Sequence, residues 1–264
     1  MTERIELIRH DDGVVELHLV REDKMNALDA RMFDALIAHG EQLRDDASVR
    51  AVVITGRGKA FCAGLDMASF SAMGEGGNMD LLPRTHGIAN KPQYIATVWR
   101  DVPVPVIAAV HGVAFGGGLQ LALGADLRLV TADTRMSVME IKWGLVPDMG
   151  ALPLLRPLVR DDIARELAYT GRIVLGDEAV AVGLATRVVA DPLAEAQRLA
   201  HEIAARSPDA IRANKRLFNA MADVRVSDAQ LLLAESDEQN KLIGSPNQTE
   251  AVRANMEKRA PRFV

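Results

Sequence analysis

The chain has 264 residues, 48% hydrophobic, 25% charged and 4% aromatic, enough for one large domain or two small ones with a sizeable core. A formal net charge of −5 argues against a nucleic-acid footprint, and the single cysteine, Cys62, excludes an internal disulfide framework and fits a reducing compartment. The opening stretch MTERIELIRHDD has no apolar h-region, and no run approaches the ~18 apolar residues of a membrane span, so a soluble cytoplasmic protein is expected.

In chain order, Ile5–Arg9 and Val14–Val20 read as two strands joined by the turn Asp11–Gly13. Asp29 is placed to cap an amphipathic helix with Met32, Phe33, Leu36, Ile37 and Leu43 on one side. AVVIT (Ala51–Thr55) is a short, wholly apolar strand, the pattern of a sheet covered on both faces. A Gly-punctuated loop over 56–67 follows. Ser71–Arg84, rich in Gly, Met and charge, is expected to be flexible. VPVIAAV (Val104–Val110) is a second buried strand, three consecutive glycines (Gly116–Gly118) open a helix after it, and Leu127–Val130 is a third candidate strand. From Arg160 onward helices dominate, at about 161–169, 176–183, 192–206, 208–222, 227–243 and 247–258, with Pro192 and Pro208 at tolerated first positions. Strands alternating with helices, then helices alone, predict an α/β core over residues 1–200 and a helical region over 201–264.

Several chemistries drop out on spacing. Gly56-Arg57-Gly58 starts like a dinucleotide fingerprint, but Phe61 stands where the third glycine belongs. There is no GxxxxGK[ST] and no GxSxG. The six histidines show no HxxxH or HExxH pairing and there is no CxxC, so no metal site is expected. Cys62, between Phe61 and Ala63, reads as a small buried residue rather than a nucleophile.

Two loops remain, KAFCAGLDM (Lys59–Met67) and HGVAFGGGLQ (His111–Gln120), each following an apolar strand. Their small residues let backbone N–H groups come close to a ligand. The second also opens a helix, whose free N–H groups favour negative charge. Two such donors facing one point would make an oxyanion hole; tight packing of turn and helix on the sheet explains the same residues equally well.

Taken together, REDKMNALD (Arg21–Asp29), TGRGKAFCAGLDM, PVIAAVHGVAFGGGLQLALGADLRL and MEIKWGLVPDMG resemble, in order, blocks of the crotonase (enoyl-CoA hydratase/isomerase) superfamily, and the likeness runs from about residue 5 to 260. The resemblance implies a repeated ββα spiral completed by a C-terminal helical region that trimerises, alone or as a dimer of trimers. It implies an acyl-CoA substrate with its thioester oxygen against the backbone N–H groups of Leu65 and Gly117. Coenzyme A would lie along Lys24, Met25, Ala27, Ala63, Asp66 and Met67, as part of the substrate and not as a separate cofactor. Lys258, in MEKRAPRF, corresponds to a lysine that reaches the coenzyme.

Hydratases of this superfamily hold a water between two glutamates, and the corresponding positions here carry Gln120 and Glu140. An amide holds by hydrogen bonds but shuttles no proton. GLVPDMG resembles the block of dienoyl-CoA isomerases that carries a second acid, here Asp148; a turn residue after Pro147 is the plainer reading. Double-bond isomerisation by Glu140 and Asp148 is the favoured expectation, with Gln120 binding substrate. Water addition by Glu140, or acyl-CoA binding without activity, are the alternatives. No nucleic-acid or membrane partner is expected.

Overall fold

The computed structural model describes residues 3–66 and 80–264. Strands β1 (Ile5–Arg9) and β2 (Val14–Leu19) are followed by a 3-10 turn (Glu22–Lys24), α1 (Ala30–Asp45), β3 (Ala51–Gly56), α2 (Lys91–Asp101), β4 (Val106–Val110), β5 (Val113–Phe115), α3 (Gly117–Gly124), β6 (Leu127–Val130) and β7 (Arg135–Ser137). A second 3-10 turn (Glu140–Trp143) leads to α4 (Ala151–Leu155), α5 (Asp161–Thr170), β8 (Val174–Leu175), α6 (Gly176–Ala181) and β9 (Arg187–Val188). Helices α7 (Pro192–Ala204), α8 (Pro208–Met221), α9 (Asp228–Leu242) and α10 (Pro246–Met256) come after. Most of Ser71–Arg84 lies outside the described residues.

The main sheet has the order β1-β2-β3-β4-β6-β9, antiparallel only at β1–β2. Its alternate residues feed two cores. Val52, Ile54, Val106 and Ala108 join the large core with α1, α2 and α3. Ala51, Val53, Ile107, Ala109 and Leu129 pack on Ala196, Ala200 and Ala204, one face of α7. Both faces being covered, β3 and β4 lose the usual polar alternation, which is why they read as continuous apolar runs. Three small residues at four-residue intervals let α7 lie close to the strands. A second sheet, β5-β7-β8, is shorter and parallel only at β5–β7.

Local signals fix several ends. Asp29 Oδ1 accepts from the Met32 N–H at 2.9 Å and starts α1. The strand expected from Val104 begins at Val106, since Pro105 has no N–H to give a ladder. Helix α2 has no counterpart in the sequence reading. Its start is a capping box, in which Asn90 Oδ1 accepts from the Gln93 N–H at 2.9 Å and Gln93 Oε1 accepts from the Asn90 N–H at 3.0 Å.

One buried cation ties the helical layer to the sheet. Lys215 of α8 donates to the Trp99 carbonyl at 3.2 Å and pairs with Asp126, whose Oδ2 also accepts from the Val106 N–H at 2.8 Å. Burial lowers the lysine pKa and Asp126 pulls it back up. Removing the ammonium strands the carboxylate, although Arg100 stands 3.6 Å from it and softens the loss. Lys215→Ala therefore costs about 2–3 kcal/mol, below the full penalty for breaking a buried pair. Urea unfolding at pH 7 measures it.

Candidate active site

A cavity of about 390 Å³ opens between the loop after the first 3-10 turn, the loop after β3, the start of α3 and the segment 139–149. Cross-bridges between backbones, rather than side-chain packing, hold its walls in place. Ala63 donates to the Met25 carbonyl at 2.9 Å, Leu28 to Gly64 at 2.8 Å and Asp66 to Leu28 at 3.0 Å. Cys62 donates to Val113 at 3.0 Å and Phe115 donates back to Cys62 at 3.1 Å. Asn26, fully buried at φ +56°, staples two of these loops, with Nδ2 donating to the Arg57 and Ala60 carbonyls at 2.9 and 2.8 Å and Oδ1 accepting from the Arg21 N–H at 2.9 Å. The Cys62 thiol, buried and pushed up to about 12 by desolvation, donates to the Asn26 carbonyl; it is structural.

The three glycines have three different reasons. Gly116 sits at φ +50°, and a Cβ there would stand 3.1 Å from Glu140 Oε1. At Gly117 a Cβ would meet Met149 Sδ at 2.8 Å, and at Gly118 the Cys62 carbonyl at 2.3 Å. Gly118 is thus demanded by packing against backbone, whereas Gly116 and Gly117 keep the cavity open beside Glu140 and Met149.

Two backbone donors face this space without an acceptor among the described residues. Gly117 is the first residue of α3, so its N–H has no intrahelical partner. Leu65 forms a parallel bridge with Leu28 in which Gly64 and Asp66 make the hydrogen bonds. Its own N–H therefore points to the opposite side.

Glu140 and Asp148 line the same cavity. Burial raises the Glu140 pKa above the usual carboxylate range, the charge of Asp148 raises it further, and the hydrogen bond from Gln120 opposes both. Its Oε2 is buried without a partner among the described residues. Asp148 stands on the solvent side, yet the protein around it still desolvates its carboxyl enough to raise it.

Gln120 departs from the expectation that it binds substrate. It is buried and off the cavity lining. Nε2 donates to Glu140 Oε1 at 2.6 Å, and Oε1 accepts from the Met149 and Ala151 N–H groups at 2.7 and 3.1 Å. With both carbonyl lone pairs committed to backbone and one N–H to Glu140, the amide orients a carboxyl and a loop.

Of the other expected residues, Lys24, Met25, Ala27, Ala63, Leu65, Asp66 and Gly117 all line the cavity. Asp66 is ion-paired with Arg21. Met67 lies outside the described residues, and Lys258, in the turn after α10, is not on the lining. Phe115, Met139, Trp143, Leu145, Val146 and Met149 line it too and were not singled out by motif. Their signal is an apolar cluster around two acids, with Val146 71% exposed.

A profile described as Enoyl-CoA hydratase/isomerase matches residues 9–264. The chain belongs to this family. A carnitinyl-CoA dehydratase of Salmonella typhi is 34% identical over 266 residues, covering 99% of this chain and 98% of its own. The human enoyl-CoA hydratase domain-containing protein 2, mitochondrial, is 33% identical over 261 residues, covering 96% and 86%. The crystal structure of an enoyl-CoA hydratase from Bacillus anthracis superposes with a TM-score of 0.87 at 29% identity, covering 98% of each chain. The fold is the crotonase fold. Among the described residues no helix is long and apolar enough to cross a membrane.

The amide's position gives a direct test. Gln120→Leu removes the bond that holds the Glu140 pKa down and leaves two buried N–H groups unmet. Carboxyl ¹³C NMR should show Glu140 titrating at higher pH than in the parent, and stability should fall by about 2–4 kcal/mol.

Proposed function

We propose that the chain moves protons on acyl-CoA thioesters, with the thioester oxygen between the Leu65 and Gly117 N–H groups and Glu140 and Asp148 as the acid–base pair. One observation carries this reading: two carboxyls of raised pKa share a cavity with two backbone donors that lack acceptors. Preorganised donors of this kind are worth about 2.7–4 kcal/mol each to a developing oxyanion. Carboxyls raised toward neutrality are suited both to taking and to returning a proton. Lys24 is the cation available at the mouth for a coenzyme phosphate, while Met25, Ala27 and Ala63 supply wall; Asp66, held by Arg21, is a fixed part of that wall.

Double-bond isomerisation fits best. One carboxylate takes a proton from C4 of a 2-enoyl thioester, the electron pair delocalises into a dienolate whose oxygen rests in the donor pair, and the other carboxylic acid delivers a proton to C2. The product is the 3-enoyl thioester, and no water is consumed. Gln120 supports this because its carbonyl, spent on Met149 and Ala151, has no lone pair left to hold a nucleophilic water. Likeness to a carnitinyl-CoA dehydratase over 99% of the chain favours a second reading, in which Glu140 adds or removes water without Asp148.

Glu140→Gln and Asp148→Asn should each lower turnover about 10²–10⁴-fold, read by absorbance on 2-enoyl-, 3-enoyl- and 3,5-dienoyl-CoA. Hydration of a 2-enoyl-CoA at full rate in Asp148→Asn would favour the second reading. Activity that needs ionised Glu140 is lost as pH falls through its raised pKa. The residual activity of Asp148→Asn should hold to lower pH, because the like charge that raises Glu140 is gone.

Gly117→Val puts a branched side chain in the cavity. It should cost at least ~10²-fold in turnover while the fold survives, since the crowded neighbours are side-chain atoms of Met149 and Leu28. Circular dichroism beside kinetics separates the two effects.

The helical region carries an apolar face without cover in the single chain, including Phe218, Leu232 and Leu233 at 62, 63 and 70% exposure. Such a face supports assembly into a trimer or hexamer. Light scattering at micromolar concentration should give a mass of three or six chains.

A further inference from the structure

The charges that line the cavity are unequal. Glu140 and Asp148 lie among Met139, Trp143, Leu145, Val146 and Met149, and this end has no cation on its lining. Lys24 is the one lysine or arginine on the described lining, and it belongs to the opposite loop with Asp23 and Met25. Lys142, over the Trp143 ring at 5.5 Å, and Arg135, over the Phe115 ring at 5.8 Å, are both off the lining.

Resting on the acyl-CoA reading above, we infer that the cavity sorts acyl groups by charge, through Glu140 and Asp148: neutral and cationic acyl chains enter, and chains ending in a carboxylate are refused. A third negative charge among two carboxyls, in a space whose remaining wall is apolar, finds neither a partner nor full hydration. It also pushes both acids toward their protonated forms and removes the base that the chemistry needs. The polar demand of this end is the reverse: Glu140 Oε2 is a buried acceptor with no donor among the described residues, which a cationic or hydrogen-bond-donating group satisfies and a carboxylate does not. Asp148 is the specificity determinant, because of the two acids at this end of the lining it is the one exposed to solvent and so to an entering charged group.

The test uses binding, so that loss of turnover does not obscure it. Calorimetry on the purified full chain compares pentanoyl-CoA, glutaryl-CoA and 4-trimethylammoniobutanoyl-CoA, which differ chiefly in terminal charge. The expected order places glutaryl-CoA at least tenfold weaker than pentanoyl-CoA, with the trimethylammonium ester at least as tight as the neutral one. Asp148→Asn should narrow the neutral-to-anionic ratio severalfold. Leu145→Arg, a cation on the same wall, should narrow or invert it even if the asparagine variant fails to fold. Equal or tighter binding of glutaryl-CoA by the parent chain overturns the charge sorting and leaves the acyl-CoA reading standing. Failure of all three esters to bind overturns both.

Discussion

The site depends on one buried amide. Gln120 makes three hydrogen bonds, one to the Glu140 carboxyl and two from the backbone of Met149 and Ala151, and it makes them from the first turn of α3. That single side chain sets where a carboxyl points and where the segment carrying Asp148 turns back on the helix. A glutamate of the same shape would offer the two N–H groups an acceptor but would place a second negative charge against Glu140. The amide accepts from backbone and donates to carboxylate at once and carries no charge, and it is long enough to hold the two functions on separate atoms.

The scaffold that presents Gln120 is made by close backbone approach. Helix α3 starts where β5 ends, and Gly118 rests so near the Cys62 carbonyl that a methyl group has no room. The loop after β3 is then pinned from both sides, by Leu28 and Met25 on one edge and by Val113 and Phe115 on the other. Asn26 closes the arrangement from below. The consequence is electrostatic: the N–H groups of Leu65 and Gly117 have no acceptor among the described residues, in loops whose neighbouring backbone groups are tied to one another. Rigid leftover donors lose little on reorganisation when an anion forms beside them, which is the condition under which such donors act.

How much of this the sequence discloses depends on the range of the interaction that makes each feature. Strands β3 and β4 are legible because burial on both faces writes itself into consecutive residues, and α1 because Asp29 caps it three residues away. Helices α5 to α10 follow from periodicity and from Pro192 and Pro208 at first positions. Helix α2 has no counterpart in the sequence reading, although Asn90, Pro92 and Gln93 form a start signal and Tyr94, Ile95, Val98 and Trp99 fall on one helical face. The strands β5, β7, β8 and β9 are two or three residues long, too short for a period. Of the lining residues, Lys24, Met25, Ala27, Ala63, Leu65, Asp66, Gly117, Glu140 and Asp148 are reached through ordered motifs. The place of Gln120 is not, because its partners lie 20, 29 and 31 positions away and nothing local announces them.

The last consequence concerns what the acid pair costs the fold. Glu140 has a folded-state pKa above its unfolded value, so the folded chain binds that proton more tightly than the unfolded chain. Stability is then highest below the unfolded pKa, declines as pH rises through the interval up to the folded one, and stays reduced above it. Asp148 acts in the same direction. Near neutral pH both carboxyls work against folding, while pairs such as Glu16 with His10 and His18, whose carboxylate is held below its ordinary pKa, work for it. The molecule thus tolerates destabilising charge at the cavity because favourable charge is placed elsewhere in the sheet. A variant lacking the Glu140 carboxylate gains stability near neutral pH, by an amount set by how far burial and Asp148 have raised that one group.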